Sequence, residues 1–295
     1  RAAGRTREAA RGFAEAHELL LGLGRGDTET AGTLLNNWGL AMLDLGQPRE
    51  AERVFRRAVT IASADGSEAS VSPMLLTNLA RPLMDLARYR EAADLADRAA
   101  ALASDAGYTV VYNQGLLLRA SAYRMLGDLA RASALLDEFA ERARRDLPPG
   151  HMAHDILVID RGRLAAAAGD TNAAAAAFDQ AVRALDRPDD ERRLGLQRAL
   201  LARARLRLET DQGAAAVADT ERLVQLVRAS SDGTAMNYNL GRAWLVRGRA
   251  LAAAGRPGDA RSPLESARRH LEATVGADHP DTREAEAALA TLAGR

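Results

Sequence analysis

The chain has 295 residues, enough for two ordinary domains or one elongated array. Forty basic residues, all of them Arg, balance forty acidic ones, which weighs against nucleic acid as a partner because there is no cationic excess to displace counterions from phosphate. The absence of Cys excludes disulfides, thiolate metal sites and Cys nucleophiles, and no apolar run is long enough to span a membrane.

Hydrophobic residues make up 47% of the chain but aromatics only 4%, and the apolar share is mostly Ala and Leu. That composition favours packed helices over a sheet, so the expected fold class is all-α. Read from the N-terminus, one pattern recurs. A truncated copy, Gly4, Ala9, Phe13 and Ala16, comes first. Full copies follow at Gly39, Gly46, Ala51, Phe55, Ala58, then Ala80, Ala87, Ala92, Ala96, Ala99, then Ala120, Gly127, Ala132, Leu136, Phe139. The next reads Gly162, Gly169, Ala174, Phe178, Ala181. A weaker one, Ala204, Asp211, Ala216, Thr220 and Leu223, lacks Gly and Phe and leaves its register open. The last is Gly248, Gly255, Ala260, Leu264 and Ala267.

The small residue after the turn falls at 9, 51, 92, 132, 174, 216 and 260, in steps of 42, 41, 40, 42, 42 and 44. On each side of the turn, apolar positions lie three, four and seven apart, the spacing of one helix face. Each copy therefore predicts a helical hairpin, with Gly ending the first helix and Pro48 or Pro257 suited to the first turn of the second. Facing small residues such as Gly39 and Ala51 are expected to let the two backbones approach closely. The predicted organisation is a single array over residues 1–295. It comprises a truncated repeat at 1–27, hairpins at 31–65, 72–105, 109–146, 151–187, 190–230 and 234–275, and a C-terminal capping helix at 279–293. The hairpin around Leu164–Ala181 is nearly all Ala and is expected to have a thin core.

These repeats resemble the tetratricopeptide repeat (TPR) family. The period near 42, the segment Leu34-Leu35-Asn36-Asn37-Trp38-Gly39-Leu40-Ala41 and the segment Gly276-Ala277-Asp278-His279-Pro280-Asp281-Thr282 look like its longer, kinesin-light-chain-like variety found in bacterial signalling proteins. The resemblance implies a right-handed superhelical solenoid of antiparallel hairpins, with a concave groove lined by the first helix of each. It further implies a cytoplasmic interaction module that holds a partner protein or extended peptide, as the C-terminal regulatory or targeting part of a larger signalling protein. On this reading Arg295 is near the natural C-terminus, and a kinase or nucleotide-binding signalling domain precedes Arg1. Two rivals are a peptide-sensing domain that changes curvature and a self-association scaffold.

On the groove-lining helices, Asn37 and Asn78 occupy equivalent places, and their donor–acceptor side chains suit a peptide backbone. Arg81, Arg163, Arg205 and Arg249 each stand one residue after the small first-helix position, an expected ladder, with Asp44, Asp85 and Asp160 on nearby turns. Arg forks match carboxylates, so the implied partner has acidic character.

Other chemistry finds little footing. His151, His154 and Asp155 lack a further metal ligand and lie where a helix starts. His279-Pro280-Asp281-Thr282 has no accompanying nucleophile and reads as a helix entry capped by Asp or Thr. The glycines of Leu21–Gly26 follow no strand and precede no Gly-Lys-Ser/Thr, so they read as a loop between repeats. Trp38 and Trp244 stand at apolar helix positions and read as core. No constellation of base, nucleophile or cofactor motif emerges, so neither catalysis nor a cofactor is expected.

Overall fold

The computed structural model describes residues 3–64, 70–187, 193–230 and 235–294. Among these the chain is all-α, with fourteen helices. They are α1 (Ala3–Gly22), α2 (Glu29–Asp44), α3 (Pro48–Ala62), α4 (Pro73–Asp85), α5 (Tyr89–Asp105), α6 (Thr109–Met125) and α7 (Leu129–Asp146). After these come α8 (Met152–Ala167), α9 (Thr171–Leu185), α10 (Arg193–Glu209), α11 (Gly213–Ser230), α12 (Tyr238–Ala253), α13 (Pro257–Thr274) and α14 (Pro280–Ala293). The chain divides into two compact units, Arg1–Leu126 and Gly127–Arg295. The division falls inside the hairpin expected over 109–146.

In the first unit α2 pairs with α3 and α4 with α5, and the even-numbered helices α2, α4 and α6 also touch in succession. In the second unit α8 pairs with α9, α10 with α11 and α12 with α13, while α8, α10, α12 and α14 again touch in succession. Each unit is thus a stack of antiparallel hairpins whose first helices form a continuous layer.

The turns explain how the repeat sets this pattern. Gly46, Gly169 and Gly255 adopt positive φ, and so do Ala87 at 58° and Asp211 at 57°. Around them the hydrogen bonds recur. Gln47 N–H donates to Met42 O, Arg88 to Leu83 O, Asp170 to Ala165 O, Gln212 to Arg207 O and Arg256 to Leu251 O. This is the six-to-one bond of a left-handed helix terminus, which satisfies a carbonyl the helix would otherwise leave bare. Asp211 therefore stands at the turn of the weak repeat, and the register of that hairpin is the one its spacing implies. Pro48 and Pro257 open α3 and α13 as expected, where a missing N–H costs nothing.

Within hairpins, the closest fit lies between the small first-helix residue and the bulky residue sixteen positions on. A Cβ on Gly39 would lie 2.6 Å from the Phe55 ring, one on Gly162 2.6 Å from Phe178, and one on Gly248 2.5 Å from Leu264. The side chain nearest a Cβ on Gly39 is thus Phe55. Phe55, Phe178 and Leu264 are fully buried, each contributing roughly 2–3 kcal/mol of burial. In the Ala-rich hairpin, Ala167 and Ala168 are exposed and Ala165 and Ala166 pack half-buried against the core, while Ile159, Phe178 and Leu185 supply its bulk. Trp38 and Trp244 are half-buried and pack against their units' cores. Arg53 lies 5.7 Å from the Trp38 ring and Arg228 4.8 Å from the Trp244 ring.

Candidate functional site: the even-numbered helices

In the first unit the two asparagines meet different environments. Asn37 is exposed and lines a surface cleft of about 450 Å³ with Phe13, Glu29, Thr30, Thr33 and Leu34. Asn78 is only 7% exposed, and its Nδ2 donates to Asn36 Oδ1 at 2.9 Å, across α2 and α4. The residue joined to Asn78 is therefore the one before Asn37. Arg81 is exposed on α4 and makes no ion pair among the described residues. Asp44 is exposed at the end of α2, and Asp85 is half-buried at the end of α4.

In the second unit the predicted arginines are all engaged. Arg163 on α8 pairs with Asp160 at 3.0 Å, one turn away on the same helix. Burial of its side chain, 25% exposed, lowers its pKa. The nearby charges of Arg198 and Arg242 lower it further, against the pull of Asp160. An Arg stays protonated throughout, so the shift changes no charge; it reflects the burial of Arg163 in the field of two like charges. Arg205 on α10 reaches Asp281 Oδ1 on α14 at 3.1 Å. Arg249 on α12 pairs with Glu284, also on α14.

Asp281 is the centre of this arrangement. Its Oδ2 accepts from the Tyr238 hydroxyl at 3.1 Å and lies 3.6 Å from Arg242 Nε. The Arg242 guanidinium lies 5.3 Å from the centroid of the Tyr238 ring. Burial alone would raise the Asp281 pKa, but Arg242 and Arg205, then His279 and the Tyr238 hydroxyl, hold it below the usual carboxylate range. Asp281 thus meets Arg205 and Arg242, while Glu284 meets Arg249 and Asp160 meets Arg163.

Arg198, Arg242, Tyr238, Asp281 and Glu284 were not among the expected site residues. A signal for two of them was present: Arg198 and Arg242 each precede a ladder arginine by seven residues, two turns along the same helix face. Nothing in the spacing signals Asp281 as a partner for Arg205, 76 residues away.

Two histidines cap helix starts. His151 Nδ1 accepts from Ala153 N–H at 3.2 Å, capping α8. The cap of α14 is made by His279, whose Nδ1 accepts from Asp281 N–H at 3.1 Å, in place of the expected Asp or Thr. Thr282 instead donates its hydroxyl to Gly276 O at 2.7 Å. Among the described residues no group of three His, Asp or Glu side chains could hold a metal ion, and no helix is long and apolar enough to cross a membrane.

No family model and no curated protein matches this chain. Solved structures do. NprR in complex with its cognate peptide NprX superposes with a TM-score of 0.67 at 11% identity, over 96% of this chain and 83% of that one. A tetratricopeptide repeat protein from Parabacteroides merdae gives 0.58 at 16% identity, over 97% and 99%. Rap protein complexed with competence and sporulation factor gives 0.59 at 13% identity, over 97% and 85%.

Proposed function

Given that this chain has the tetratricopeptide-repeat fold, we propose that it is an interaction module binding a carboxylate-bearing partner segment on the even-numbered helices. The observation that carries this reading is that arginines of α10 and α12 already hold carboxylates: Arg205 and Arg242 meet Asp281 and Arg249 meets Glu284, both on α14. An Arg fork pairs with a carboxylate by two parallel hydrogen bonds, so such a face selects acidic segments over neutral ones. Affinity would rest on a few such anchors and not on area. Asn37, exposed beside its cleft, and Arg81 are the corresponding contacts of the first unit. The module would serve as the regulatory or targeting part of a larger bacterial signalling protein.

Fluorescence anisotropy tests this with a short labelled peptide of alternating glutamate and alanine, and its glutamine counterpart. The acidic peptide should bind, weaken with added salt, and lose most of its affinity in the Arg163→Gln/Arg198→Gln double variant. Equal binding of the two peptides would overturn the reading. A peptide-sensing role is a second reading, favoured by the superposition on NprR in complex with its cognate peptide. Small-angle scattering with and without bound peptide separates the two, since a sensor changes dimension on binding.

A further inference from the structure

The terminal helix α14 contributes its own carboxylates to the arginine face. Asp281 and Glu284 lie three residues apart, one turn of one helix, and both point at arginines of the preceding hairpins. Their surroundings differ. Asp281 has a side chain only 13% exposed, held by Arg205, Arg242 and the Tyr238 hydroxyl, and it sits in the first turn of a helix whose partial positive charge it meets. Glu284 and its partner Arg249 are 35% and 39% exposed and make a single ion pair. The first carboxylate is anchored and the second is exchangeable, because solvent can replace one but not the other.

We propose that Glu284 is an internal competitor for the carboxylate site at Arg249. An acidic partner segment displaces it and so gains the Arg249 fork, while Asp281 stays in place and keeps α14 docked. This inference rests on the proposed function, because it assigns the regulation of the same face.

The test uses the full chain, the glutamate–alanine peptide above and three variants. Glu284→Gln leaves a neutral isostere on a half-exposed position. It should bind the peptide about three- to tenfold more tightly than wild type, the worth of one freed surface arginine. Arg249→Gln should abolish that gain when combined with Glu284→Gln. Asp281→Asn should lower the melting temperature, by circular dichroism, more than Glu284→Gln does, as an anchor requires. Wild-type binding with no gain in Glu284→Gln would overturn the competition and leave the proposed function standing. Absence of peptide binding by both wild type and Glu284→Gln would overturn the proposed function itself.

Discussion

Gly39 on α2 lies so close to the ring of Phe55 on α3 that a Cβ at residue 39 would sit 2.6 Å from a ring carbon. Phe55 is fully buried and cannot swing aside. Gly39→Ala should therefore cost roughly 1–2 kcal/mol of stability, the overpacking penalty exceeding the helix propensity that Ala restores. Gly115→Ala is the opposite case, since no atom lies within 4 Å of a Cβ built there. It should gain about 0.5–1 kcal/mol by the same propensity. Urea unfolding monitored by circular dichroism reads both signs in one experiment.

Ala87 holds φ at 58°, where Gly46, Gly169 and Gly255 hold the equivalent turns without a side chain. Its Cβ crowds the following carbonyl at a cost of about 1–2 kcal/mol, of which the added freedom of an unfolded Gly takes back part. Ala87→Gly should stabilise the first unit by roughly 0.5–1 kcal/mol. A higher urea midpoint with an unchanged slope is the expected outcome. A lower midpoint would contradict the strain.

Asn36 and Asn78 are joined by one hydrogen bond, with Asn78 buried. Asn36→Ala leaves that buried amide without its acceptor and should cost about 1–2 kcal/mol. Asn37→Ala, one residue along and exposed, should leave the melting temperature unchanged. If Asn37 touches a bound segment, only peptide affinity falls in that variant. Paired melting and anisotropy measurements separate the two roles.

His270 accepts a hydrogen bond at Nδ1 from Asn237 N–H at 3.0 Å, which requires that nitrogen to be unprotonated. Burial, then Arg269 and Arg228, lowers its pKa below the ordinary value. Folding therefore favours the neutral ring. The stabilisation is full above the unfolded pKa of about 6.5 and is lost as pH falls through the lower folded value. Urea midpoints should drop between about pH 7 and pH 5 in wild type and drop less in His270→Gln. Parallel curves would contradict the assignment.

Much of the fold was legible because a repeat announces each element several times. The pattern at Ala204 and Asp211 is weak alone, yet its spacing from Gly169 and Gly255 implies the turn that Asp211 makes. The same spacing pairs Gly39 with Phe55, Gly162 with Phe178 and Gly248 with Leu264. The candidate site was legible in part. Its arginines recur with the period, so Arg163, Arg205 and Arg249 could be picked out, and Arg198 and Arg242 could have been by the same rule. Their partners do not recur. Glu284 and Asp281 occur once, on α14, and His279 takes the capping role that a Thr or Asp could equally have filled.

The sequence by itself determined what depends on separations of a few residues: helix faces, left-handed turns, hairpins and their succession. These follow from backbone geometry and side-chain volume, which act locally and repeat with the chain. Only the tertiary structure decided which carboxylate answers which arginine and which asparagine is buried. Arg205 finds Asp281 because α10, α12 and α14 lie side by side, bringing together charges 76 residues apart. Asn78 finds Asn36 in place of Asn37 because neighbouring helices set their own rotation and axial offset when they pack.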